Sequence, residues 1–135
     1  MTAVLDTGIP AGLDSDGMTR DERRQFETLQ AHRALGLIMQ RVPMSIPMWS
    51  WTVCIGVHGA TDNKIGIEGN LAAMPNGHAS RAALMGLAEQ FGLEYAEKPH
   101  LSENIVTASG FYAGVPVRFF DLVKPCLCDD CGGAR

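Results

Sequence analysis

Trp49-Ser50-Trp51-Thr52-Val53-Cys54-Ile55-Gly56-Val57-His58 is the stretch on which the fold turns. Trp49, Trp51, Val53, Ile55 and Val57 alternate with small or polar groups, the period of a strand with one buried side. The opposite side carries Ser50, Thr52, Cys54, Gly56 and His58. A turn through residues 59–63 leads to a second alternating run. There Ile65, Ile67 and Leu71 face one way, and Lys64, Gly66, Glu68 and Asn70 the other. The two runs predict a hairpin with a loop longer than the tightest type.

Helices flank this hairpin. Thr19-Arg20-Asp21-Glu22 has the pattern of a capping box, in which hydroxyl and carboxylate each satisfy an exposed amide, so a helix is expected from Thr19. Its first half is charged. Its second half, with Leu35, Leu37, Ile38 and Met39, is apolar on several sides and calls for cover by protein, until Pro43 and Pro47 forbid continuation. A second helix is expected over residues 80–91, where Leu84, Leu87, Ala88 and Phe91 form a single stripe and Gly92 supplies the left-handed stop.

Residues 105–111 and 115–123 read as a second hairpin around Tyr112-Ala113-Gly114, with Pro116 placing its strand at a sheet edge or a bulge. The expectation is an α+β fold: a four-stranded antiparallel sheet in the order ββαββ, with an additional N-terminal helix. Residues 1–18, with three aspartates and few large apolar groups, read as an arm; residues 19–124 as one domain; residues 125–135 as a cysteine-rich tail. The first helix is expected to lie over the small-residue side of the sheet (Thr52, Cys54, Gly56, Gly66, Ala108, Gly110), with a second copy of the chain as the alternative cover.

Gly110-Phe111-Tyr112-Ala113-Gly114-Val115-Pro116-Val117-Arg118, preceded by an alanine-rich helix, resembles small proteins of actinobacteria and of their phages and plasmids. In that group a hairpin, a helix and a strand pair with such a turn recur. The resemblance spans residues 48–124 and implies a phage or mobile-element setting. It rests on turn chemistry and implies no activity.

The chain has 135 residues, 46% of them hydrophobic and 19% charged, enough for one cored domain. A net charge of −4 disfavours general nucleic-acid binding, which needs cations to displace counterions. The longest apolar run, residues 34–39, is too short to span a bilayer, and the first residues lack the basic and apolar regions of a secretory signal. A cytoplasmic, reducing location follows as the expectation.

Three cysteines, Cys126, Cys128 and Cys131, crowd one end of the chain. They are metal ligands, a redox pair or incidental thiols of a frayed tail. Cys128-Asp129-Asp130-Cys131-Gly132 has the spacing of half a zinc ribbon, and the fourth ligand would be Cys54, His58, His78, His100, water or a partner's thiolate. The two aspartates would raise a thiol's pKa, which speaks against redox work. His58, Asp62 and Glu68 surround one hairpin, yet no serine-elbow, phosphate-loop or dinucleotide motif supports catalysis. Arg20, Arg23, Arg24 and Arg33 are interleaved with acids, as on a solvated helix face. The reading is a non-enzymatic module that binds a protein partner or itself, with Leu35, Ile38 and Met39 as contact residues. The alternative is a zinc protein whose tail holds a structural metal.

Overall fold

The computed structural model describes residues 17–59, 63–72 and 74–125. Helix α1 (Arg20–Arg41) opens on the expected capping box, with the Thr19 hydroxyl accepting from the Glu22 amide and the Glu22 carboxylate from the Thr19 amide. Strands β1 (Met48–Ile55) and β2 (Ile65–Leu71) follow as an antiparallel pair. Helix α2 (Gly77–Phe91) is capped by the Asn76 side chain, which accepts from the Ala79 amide, and ends at Gly92 in the left-handed conformation. Strands β3 (Glu94–His100), β4 (Glu103–Tyr112) and β5 (Val115–Val123) complete the order.

Among the described residues the sheet therefore has five strands, in the order β1-β2-β5-β4-β3, and is mixed, because β2 and β5 run parallel. This corrects the expectation of four antiparallel strands. The added strand, β3, turns Tyr95, Glu97 and Pro99 towards the helices, so no apolar alternation announces it. β5 is also central rather than an edge. Pro116 is accommodated there because it pairs with Phe111 on the β4 side, while the β2 ladder begins one residue later, at Val117.

Both helices pack on one side of the sheet. Ala31, Ala34 and Ile38 of α1 and Leu84, Leu87, Ala88 and Phe91 of α2 share a single core with Ile67, Val106, Ala108, Val117 and Phe119. Phe119 sits at its centre, between Trp51 at 5.7 Å edge-on and Phe91 at 5.9 Å. α1 does not cross the small-residue side, contrary to expectation, and Ala108 and Gly110 belong to the helix side. The Glu27 carboxylate accepts from the Ile65 amide at 3.1 Å, which ties α1 to the start of β2.

Two local devices overturn the simple alternation of β1. An irregularity in the pairing between Met48 and Ser50 turns Trp49 away from the core, leaving it 75% exposed. At the other end Gly56 has φ 77°, so the chain folds over and buries Val57 on the opposite side, against Gly66. Trp51 and Val53 remain on the core side, as expected. Gly66 must be glycine, since a Cβ there would lie 2.6 Å from the Pro116 carbonyl oxygen.

Candidate partner-binding face

The side of the sheet away from the helices is built by alternate residues of every strand. β4 supplies Ile105, Thr107, Ser109 and Phe111; β5 supplies Arg118, Phe120 and Leu122; β3 supplies Glu94, Ala96, Lys98 and His100. β1 and β2 add Thr52, Cys54, Glu68 and Asn70, with the displaced Trp49 at the rim. Phe111 and Leu122 are exposed, and Ile105 and Phe120 half-buried. A one-sided sheet ordinarily presents polar groups to water, so this run of aromatic and aliphatic side chains is what distinguishes the face. Among the described residues no helix lies over it.

Arg118 occupies the middle of this face. Its guanidinium lies 4.9 Å from the Phe120 ring centre and 3.7 Å from a Glu68 oxygen, and its Nε is buried without a hydrogen-bond partner. A hollow of about 380 Å³ beside it is lined by His58, Lys98, Thr107, Ser109 and Glu94 among others. His58 Nε2 is 3.2 Å from the Val117 carbonyl oxygen and its ring meets Phe111 edge-on. His58 is thus engaged with β4 and β5 and Glu68 faces Arg118, while Asp62, the third residue of the trio read around this hairpin, lies outside the described residues. Burial, reinforced by the Glu68 charge and opposed by Arg118, pushes the Cys54 thiol up, the wrong direction for a nucleophile.

A second polar cluster joins the start of α2 to the sheet. Arg81 grips Glu97 with two hydrogen bonds of 2.8 and 2.9 Å, and Asn104 donates to the same carboxylate at 2.7 Å. The Arg81 Nη2 also donates to the Lys124 carbonyl at 3.1 Å, while Ser80 donates to Asp121 at 2.7 Å. This network fixes the end of β5. Beside it is a hollow of about 520 Å³ whose wall includes His78, Asp121 and Lys124.

A third feature gathers cations. Among the described residues, Arg20, Arg23 and Arg24 of α1, together with Lys64, Ile55, Asn63 and Glu27, line a cavity of about 590 Å³ at the β1–β2 hairpin. Three arginines of the predicted solvated face are therefore collected at one place.

Of the residues expected to contact a partner, Ile38 is fully buried in the core and unavailable, because α1 spends its apolar side on the sheet beneath it. Leu35 is half-buried against the same core, and Met39 is exposed, as is Leu37. Cys126, Cys128 and Cys131 lie outside the described residues. Among the described residues no group of three or more His, Cys, Asp or Glu is arranged around a metal position. No described helix is long and apolar enough to cross a membrane. From the sequence Trp49 is expected in the core, where the structure does not have it, and Phe111, Arg118 and Leu122 are not singled out as contact residues, although Pro116, Arg118, Phe120 and Leu122 form a second alternating set in β5 that signals an occupied outer side.

The chain matches no protein-family model, no curated protein and no solved structure. Its function must be argued from the geometry of these surfaces.

Proposed function

We propose that this chain is a non-enzymatic binding module that receives a protein surface, from a second copy or from another chain, on the open face of its sheet. One observation carries the reading: Trp49, Phe111 and Leu122 stand exposed on a face that also holds Ile105, Phe120 and Arg118. Aromatic side chains interleaved with arginine are the composition of interface centres. The phage or plasmid setting implied by the turn at residues 110–118 suits such an assembly role.

A photo-crosslinking amino acid at Phe111, with one at Met85 on the outer side of α2 as reference, tests this in cells expressing the full chain. A discrete protein adduct from position 111 and none from position 85 is the expected result. Adducts from neither position, or equally from both, would sink the proposal.

A second reading, zinc held by the tail, is favoured by where the chain leaves the described residues. Arg81 holds the Lys124 carbonyl at the rim of a hollow that His78 also lines. Cys126 follows two residues on, within about 7 Å at full extension. Of Cys54, His58, His78 and His100, only His78 lines that hollow. Protein purified without chelator is expected to carry one zinc per chain, lost in Cys128→Ser/Cys131→Ser and weakened in His78→Asn. Metal-free protein after zinc addition would end this reading.

A further inference from the structure

Among the described residues the sheet has two open edges, and the chain treats them differently. The β3 edge carries Glu94, Glu97, Lys98 and Pro99, the charges and proline that keep an edge from accepting another strand. β1, at the other edge, has no charged residue and no proline. Its one protective feature is the pairing irregularity between Met48 and Ser50, and beyond it the register of residues 50–55 on β2 is regular. The core is also unfinished at this edge. Ile65, Ile67 and Leu71 of β2 are buried, whereas Trp51 and Val53, on the same side of the sheet, are only half-buried and Ile55 is 49% exposed.

We propose that β1 pairs with β1 of a second copy, antiparallel about a two-fold axis at Thr52, so that two five-stranded sheets join into one. The regularly paired residues 50–54 are centred on Thr52. An axis there sets Trp51 of each copy opposite Val53 of the other, Thr52 opposite Thr52, and Ser50 opposite Cys54. Residues directly opposite share a face, so both Trp51–Val53 pairs lie on the helix side and extend the core across the joint. Pairs of an aromatic with a β-branched residue, and of two threonines, are favourable across strands, and no like charges meet. The backbone of an unrelated strand would fit this edge equally; the reciprocity of the side-chain pairs is what selects a second copy. The joint is closed. It uses up both β1 edges and leaves the two charged β3 edges outermost, which stops the growth of the sheet at a dimer. The inference does not rest on the partner assigned to the open face, and the two readings can fail separately.

Sedimentation equilibrium of the full chain under reducing conditions tests it, and twice the mass of one chain is the expected result. Thr52 is exposed, so a single chain tolerates a charge there, which the melting temperature of the variants verifies. Thr52→Lys and Thr52→Glu each set like charges against one another at the axis and should weaken dimerisation by about tenfold or more. An equimolar mixture of the two should regain the dimer, because lysine then stands opposite glutamate. Phe111→Lys, on β4 with β2 and β5 between it and this edge, should leave the dimer intact. A monomer at every concentration, or a mass above that of a dimer, would overturn the proposal. So would a dimer that survives both Thr52 variants, one that Phe111→Lys dissociates, or variants that stay apart when mixed.

Discussion

Glu97 accepts from Arg81 twice and from Asn104 once, and the Tyr95 hydroxyl reaches the same carboxylate. The hydrogen bonds from Arg81 hold its carboxyl below the usual value of 4.5, against the upward push of burial. A carboxyl depressed in the folded state contributes stability that is complete above its ordinary value and is lost as pH falls through the depressed one. Thermal unfolding of the wild-type chain should therefore move to lower temperature as the pH drops below about 4.5, and less so in Glu97→Gln. At neutral pH that variant should lose on the order of 2–3 kcal/mol in denaturant titration, since it leaves the nearly buried Arg81 without its charged partner. Burial, followed by the Glu97 charge, pushes the Tyr95 phenol up, so its ultraviolet titration should shift to lower pH in the same variant.

At the scale of elements, β1 makes two tryptophans unequal. Trp51 packs edge-on against Phe119, whereas the pairing irregularity at Met48 and Ser50 turns Trp49 into solvent. Trp51→Ala should cost about 2–3 kcal/mol, somewhat under the figure for a fully buried aromatic. Trp49→Ala should change stability by no more than about 0.5 kcal/mol, as surface substitutions do. Equal effects in denaturant titration would contradict the register of this strand. Elements whose cause is local were legible in the sequence: the α1 capping box, the α2 stripe with its glycine stop, and the turn at Ala113-Gly114. What was hidden depends on partners distant in the chain. β3 shows no alternation because its inward Glu97 is satisfied by Arg81, sixteen residues away. The bulge that exposes Trp49 has no marker in composition, and neither has the parallel pairing of β2 with β5. The open face was expected to be bare because β4 was read in the wrong phase, with Ala108 and Gly110 on that side, and β5 was not read for it; Phe111 and Phe120 come from these two strands.

On the scale of the whole molecule, the described residues place two helices on one side of the sheet and no helix on the other, which makes two unlike surfaces. The helix side is closed by a core that runs from Ala31 through Phe119 to Phe91. The other side holds the groups we assign to a partner. The place of β5 has a further result. Among the described residues, the last strand in chain order fills the slot between β2 and β4, joining the β1–β2 hairpin to the β3–β4 pair. During synthesis on the ribosome neither half can bury its apolar side until Val117 and Phe119 have cleared the exit tunnel, so folding must wait for nearly the entire domain.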